Sequence, residues 1–156
     1  MSKIQVLILI GSDSDAPVME NAILTLEEMG LTCEMTVASA HRSPDRGVQV
    51  FIVGAGAAAH LAGVVAAHTT KPVIGVPIAS SALQGFDALL STVQMPPGVP
   101  VATVSIGKPG ATNAAVLAAQ IIALSDQDVA RQLEIYKKKL ADKVERAAKK
   151  VESRSR

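Results

Sequence analysis

Apolar residues recur along this chain in two rhythms. Short runs with almost no polar interruption, Ile4 to Ile10, Val48 to Val53, Val73 to Val76 and Val101 to Ile106, have the length of single strands. Runs of this kind mark strands covered on both faces, as in a parallel sheet, because a half-exposed strand would alternate polar and apolar positions. Cys33 to Ala38 is a further short strand, with Cys33, Met35 and Val37 as its inward-facing residues. Between these runs the spacing lengthens to three and four. Val18, Ala22, Ile23, Leu26 and Met29 line one side of a helix that opens on Ser14 or Asp15 as its cap, carries Pro17 in its first turn and stops at Gly30. Helices are also predicted over Ala57 to Ala67, Phe86 to Val93 and Ala111 to Leu124.

Strand and helix therefore alternate, which predicts an α/β three-layer sandwich around a five-stranded parallel sheet, flavodoxin-like or Rossmann-like. One connection strains this plan. A parallel crossover normally takes a dozen or more residues and includes a helix, yet only Ser39 to Gly47 separate the second and third strands. Nine residues reach at most about 30 Å, enough to strap across a sheet but not to cover it with a helix. Either a short strap stands where a helix usually does, or residues are missing from the sequence at this point.

The 156 residues, 49% hydrophobic and 19% charged, suit one compact domain spanning 1–156. No apolar stretch nears the roughly 20 residues of a membrane helix, and Ile4 to Ile10 runs straight into Gly11-Ser12-Asp13 without the form of a signal peptide, so a cytoplasmic chain with no membrane partner is expected. A single cysteine excludes an internal disulfide and a thiolate metal cluster. Phe51, Phe86 and Tyr136 are the only aromatics, which argues against a stacked flavin and against nucleic-acid readers that stack bases. Charge is uneven: residues 1–136 carry 6 Lys and Arg against 11 Asp and Glu, while 137–156 carry 9 against 3. Within that basic end Val129, Leu133, Tyr136, Leu140, Val144, Ala147 and Val151 step by four and three, the stripe of a long amphipathic helix. The expectation is an oligomerisation helix over 126–151 and a flexible basic tail over 152–156. No groove-reading motif accompanies the charge, so a nucleic-acid partner is not expected.

In a parallel sheet of this type the ligand crevice lies beyond the carboxyl ends of the strands, and the polar residues of this chain collect in those loops. Gly11-Ser12-Asp13-Ser14-Asp15 opens the first helix, where Ser12 and backbone amides face an anion and Asp15 suits ribose hydroxyls; it also reads as an ordinary capping loop. Neither a Walker lysine nor a full GxGxxG run is present. Ser39-Ala40-His41-Arg42-Ser43-Pro44-Asp45 sets a group that titrates near neutrality beside a fixed cation, so His41 can move a proton and Arg42 can hold a phosphate, unless the two form a plain surface pair. Gly54-Ala55-Gly56-Ala57-Ala58-Ala59-His60 is a small-residue turn that brings backbone close to a ligand. His60 reads either as a pocket residue or as a hydrogen-bonded core histidine, and His68 as a helix-end cap. Three scattered histidines with no matching carboxylates predict no metal site. Ser80-Ser81-Ala82-Leu83-Gln84-Gly85, Gln94 to Pro100 and Gly107 to Asn113 complete the rim, without the Ser-His-Asp order of a covalent hydrolase.

Together GSDSD at Gly11 to Asp15, SAHRSPD at Ser39 to Asp45, GAGAAAHLAG at Gly54 to Gly63, GVPIASSALQGFDALLSTVQMPPGVPVATVSIG at Gly75 to Gly107 and NAAVLAAQI at Asn113 to Ile121 resemble the class I N5-carboxyaminoimidazole ribonucleotide mutase family of purine biosynthesis, over nearly the whole chain. The resemblance implies a small-molecule substrate, N5-carboxyaminoimidazole ribonucleotide, whose carboxylate moves from the exocyclic nitrogen to ring carbon four with no metal or organic cofactor. It implies His41 as general acid and base, Ser12 and Asp15 as substrate-binding residues, Arg42 near the phosphate, and Ser39, Gly56, His60, Ser81, Ala82 and Leu83 lining the pocket. It also implies a homo-oligomer, an octamer with sites between subunits. The chain departs from the family pattern at three places: the helix after SAHRSPD is lacking, Ala57 stands where GAGGAAHLPG has its second paired glycine, and Ala62 stands at its proline. The Ala57 methyl narrows the carboxylate pocket if φ there is positive. Two other functions share much of this pattern: a direct aminoimidazole ribonucleotide carboxylase using carbon dioxide, and an inactive phosphoribosyl-binding module.

Overall fold

The computed structural model describes residues 4–37 and 47–153. Its elements run β1 (Val6–Ile10), α1 (Ala16–Glu28), β2 (Cys33–Val37), β3 (Val50–Gly56), α2 (Leu61–Ala67), β4 (Val73–Ile78), α3 (Phe86–Val93), β5 (Ala102–Thr103), α4 (Lys108–Ala123) and α5 (Gln127–Glu152), with a 3-10 turn over Asp13–Asp15. All five strands are parallel, in the order β2-β1-β3-β4-β5. This is the doubly wound order in which the direction of winding reverses between β1 and β3.

One face of the sheet presents Val6, Ile8, Ile10, Val50, Ile52, Ile74 and Val76 to Met19, Ala22 and Leu26 of α1 and to α4. On α4 the residues Ala111, Ala114, Ala115, Ala118 and Ala119 are all fully buried. Methyl-sized side chains on that stripe let α4 lie close against α1 and the strands. The opposite face packs Phe51, Val53 and Val73 against Ala62 and Val65 of α2. Leu7 and Leu9 belong to that second face and are only half-buried, although β1 is flanked by strands on both sides.

Residues 38–49 link β2 to β3. Val37 is level with Ile10, and Val50 with Val6, so the link must return the length of β1 and cross two strand spacings. That distance is about 17 Å, well inside the reach of the twelve residues between the strands. The expectation of a short strap or a gap at this point falls on residues 38–46, outside the described residues.

Several element ends shift from the sequence expectation by one to three residues, β3 running on to Gly56 and α4 starting at Lys108, and two differ for a local reason. Helix α2 begins at Leu61 and not Ala57, because Ala57 and Ala59 adopt positive φ and hold residues 57–60 in a turn. Strand β5 is two residues long and not six. Gly107 N–H donates to the Pro77 carbonyl at 2.9 Å, so Pro77 points its backbone toward β5, where it has no N–H to offer and the ladder stops.

The first turns of α5 rest on the core through Val129, Leu133 and Tyr136, and Lys139 meets Glu28 of α1 at 2.8 Å. Beyond that ion pair the stripe outruns its support: Leu140 is 47% exposed, Val144 69% and Val151 64%. No helix among the described residues is long and apolar enough to cross a membrane.

Candidate active site at the carboxyl edge of the sheet

At the reversal point between β1 and β3 short contacts join the loops at the carboxyl edge of the sheet. Gly11 N–H donates to the Gly54 carbonyl at 3.1 Å, tying the end of β1 to β3. A Cβ on Gly11 would make only ordinary contacts, 3.4 Å from Asp15 Oδ2 and 3.8 Å from Ala55 Cβ. Ser12 is the cap of the following turn. Its Oγ accepts from Ser14 N–H at 3.3 Å, while Asp15 Oδ2 accepts from Ser12 N–H at 3.1 Å, so the two side chains satisfy each other's backbone. The capping role expected of Ser14 or Asp15 thus falls to Ser12, and Asp15 makes no side-chain cap to α1. Asp15 is 5% exposed. Burial pushes its carboxyl above the ordinary value of 3.8, the N–H groups of Ser12 and Gly11 pull against that, and Asp13 adds to the rise.

The loop after β3 meets the loop after β4. A Cβ on Gly56 would lie 2.0 Å from Ser80 Oγ and 2.7 Å from Ser80 Cβ, so the two backbones pass at a distance only glycine permits. Ala57 has φ +51° and Ala59 φ +40°, the left-handed region that glycine favours. Ala55 and Ala59 are buried against Ala88 of α3, whereas Ala57, Ala58 and His60 are exposed. His60 is therefore not a core histidine; it is the residue preceding α2, at the lip of the crevice. His68 ends the same helix with its backbone N–H on Val65.

Ser81, Ala82 and Leu83 are exposed on the loop from β4 to α3. Ser81 Oγ donates to Asp87 Oδ2 at 2.6 Å and accepts from Leu83 N–H at 3.1 Å. The Ser81 hydroxyl holds the Asp87 carboxyl below the ordinary range; burial opposes this, and the N–H groups of Ala88 and Asp87 assist it. Gln84 at φ +53° and Gly85 at φ +89° then turn the chain into α3. A Cβ on Gly85 would meet Ile106 Cγ2 at 2.8 Å, which carries the rim on to the loop after β5.

The structure thus brings Ser12, Asp15, Gly56, Ser81, Ala82, Leu83 and His60 to the carboxyl edge of one sheet. Ser39, His41 and Arg42 lie outside the described residues. Asp87 stands beside the loop of Ser80 to Gly85 and was not singled out from the sequence, since an aspartate in the first turn of a helix does not differ in pattern from a structural residue. Among the described residues no three His, Cys, Asp or Glu side chains gather as metal ligands. Cys33 is partly buried against the core, and burial, with Glu27 nearby, pushes its thiol up and keeps it protonated.

Residues 5–143 match the family model described as AIR carboxylase. The chain is 54% identical over 138 residues to the N5-carboxyaminoimidazole ribonucleotide mutase of Bacillus subtilis (strain 168), covering 81% of this chain and 85% of the relative. It is 49% identical over 156 residues to the protein of the same name from Pyrococcus horikoshii, covering 93% and 87%. The crystal structure of Treponema denticola PurE superposes with a TM-score of 0.80 at 29% identity, over 94% of this chain and 97% of that one. A sheet of this order, its loops meeting at the reversal point, and a family match over most of its length place the chain in the AIR carboxylase family.

Proposed function

We propose that this chain is an N5-carboxyaminoimidazole ribonucleotide mutase, moving the carboxylate from exocyclic N5 to ring C4 to give 4-carboxy-5-aminoimidazole ribonucleotide in purine biosynthesis. The observation that carries the reading is its 49–54% identity, over most of both chains, to relatives bearing that name. His41 is the proton carrier. The bond from N5 to the carboxylate carbon breaks, its electron pair stays on nitrogen, and the His41 imidazolium supplies the proton that makes the amine. The enamine-like C4 then gives an electron pair to the freed carbon dioxide, and neutral His41 removes the C4 proton to restore the aromatic ring. One group gives a proton and takes one back, so nothing is consumed and the reaction as written requires no cofactor.

Arg42 pairs with the phosphate, Asp15 accepts from the ribose and Ser12 helps hold the nucleotide. Ser39, Gly56, His60, Ser81, Ala82 and Leu83 line the pocket, where the small apolar side chains near Ala55 and Ala82 keep water from the carbon dioxide. The enzyme works in the cytoplasm as a homo-oligomer, an octamer whose copies complete each other's sites. The exposed stripe of Leu140, Val144 and Val151 supports self-association, as does Phe86 on the rim, 64% exposed. A light-scattering mass of a single copy would remove the oligomer.

The activity is tested by supplying the purified chain in turn with N5-carboxyaminoimidazole ribonucleotide and with aminoimidazole ribonucleotide plus bicarbonate. Faster conversion of the first is expected. The second reading, a direct carboxylase, draws on the family description itself, AIR carboxylase, and wins if only the second mixture turns over. Binding with no turnover of either would leave a phosphoribosyl-binding module.

A further inference from the structure

The Ser81 hydroxyl has one proton to give and two lone pairs to offer. Its proton is committed to Asp87 Oδ2 at 2.6 Å, and one lone pair receives Leu83 N–H at 3.1 Å. One lone pair is left, on an exposed residue of the crevice rim. Asp87 itself cannot swing away easily. It stands in the first turn of α3, next to Ala88, which is fully buried against Ala55 and Ala59 of the neighbouring loop, and its second oxygen, Oδ1, is buried with no hydrogen-bond partner among the described residues. A carboxylate fixed in this way, with its charge directly behind the serine, disfavours a phosphate or carboxylate at Ser81 and favours a donor.

We propose that Asp87 is a positioning residue that fixes Ser81 as a hydrogen-bond acceptor, so that this loop reads an N–H or O–H group of the nucleotide and not one of its anionic groups. The inference rests on the mutase reading, in which Ser81 lines the substrate pocket. Asp87 touches no substrate and acts through Ser81.

The test is a double-mutant cycle on the full-length protein with Ser81→Ala, Asp87→Ala and the double variant, read both as kcat and KM for N5-carboxyaminoimidazole ribonucleotide and as affinity for aminoimidazole ribonucleotide. Each single change should lower affinity by about tenfold to a hundredfold, the range for a hydrogen bond in a charge-assisted chain, and the double variant should lose no more than the worse single one. Asp87→Asn keeps an acceptor for the Ser81 proton and should recover most of the loss, which also covers the case in which Asp87→Ala does not fold. Imidazole ribonucleotide, which lacks the amine, separates the two donors. If the amine is read, Ser81→Ala weakens aminoimidazole ribonucleotide and leaves imidazole ribonucleotide unchanged; if a ribose hydroxyl is read, both weaken alike. Additive losses, or an equal loss in Asp87→Asn, would overturn the inference while leaving the mutase intact. A wild-type chain that binds neither nucleotide would overturn both.

Discussion

Gly56→Ala tests whether the rim built here is the working site. The added Cβ would lie 2.0 Å from Ser80 Oγ, 2.7 Å from Ser80 Cβ and 3.2 Å from the Ile78 carbonyl oxygen. Rotating Ser80 about χ1 removes only the first of these clashes. Comfortable contact between carbon atoms needs about 3.5–4.0 Å, so the backbone at Ser80 must retreat by about 1 Å, and Ser81 moves with it. Overpacking of this kind costs about 1–3 kcal/mol of stability. A 1 Å misplacement of a positioning group costs about a hundredfold in rate, or about 2.7 kcal/mol of transition-state stabilisation. The spectrophotometric mutase assay on folded protein should therefore show kcat/KM down by about two orders of magnitude. Gly63→Ala is the control. It sits in α2, where alanine is favoured, and its Cβ would meet only the flexible end of Met95, at 3.1 Å from Sδ. It should keep near wild-type activity. A folded Gly56→Ala enzyme within threefold of wild type would refute the reasoning, because the approach of β3 to the Ser80 loop would then not govern the site.

Other outcomes follow from the same geometry. Ala57→Gly relieves a left-handed alanine, a gain of about 1–2 kcal/mol offset by about 0.4–1 kcal/mol of glycine chain entropy, so chemical denaturation should show unchanged or slightly raised stability and not a loss. Gly110→Ala places a Cβ 1.7 Å from the Ser105 carbonyl oxygen, a clash of backbone that no rotamer relieves, and should cost about 3 kcal/mol or more in the same measurement. For Asp15 the folded carboxyl titrates above 3.8, so the fold binds the proton more tightly than the unfolded chain; stability from this group falls as pH rises from 3.8 through the raised value and stays lower above it. Asp15→Asn keeps the acceptor for Ser12 and loses the charge, so its melting temperature relative to wild type should climb with pH across that window while nucleotide affinity drops; a flat difference would remove burial as the cause. His41→Asn should abolish turnover and leave nucleotide affinity within about tenfold, and retained activity would take His41 out of the mechanism.

The strands were legible because residues covered on both faces leave unbroken apolar runs, and β3 and β4 are buried along nearly their whole length. The ends of elements were less so, for reasons that are local. Nothing in the run of alanines after Gly56 announces that two of them take positive φ, because alanine is the strongest helix former and only the approach of Ser80 to Gly56 shapes that turn. Val101 to Ile106 reads as a full strand, yet its length was set by Pro77 on its neighbour, a partner that strand order had first to supply. The loops after each strand could be located from the order of elements, and Ser12, Asp15 and Ser81 stand on the loops after β1 and β4. Asp87 was not legible, since its meaning depends on a six-residue turn folding Ser81 back onto it.

The described rim is joined by backbone and by buried side chains: Gly11 to Gly54, Gly56 beside Ser80, Ala59 on Ala88, Gly107 on Pro77. Each of those contacts lies at or just beyond the carboxyl end of β1, β3 or β4, or at the start of α3 or α4, and one face of that sheet holds the fully buried core. On the opposite face Leu7 and Leu9 are only half-buried. Leaving two leucines half-covered forgoes about 2 kcal/mol of burial, a cost a domain with this much core can bear. Leu9→Ala, on that half-covered face, should therefore disturb nucleotide binding less than Gly56→Ala does, because Gly56 stands against the loop after β4 and Leu9 does not.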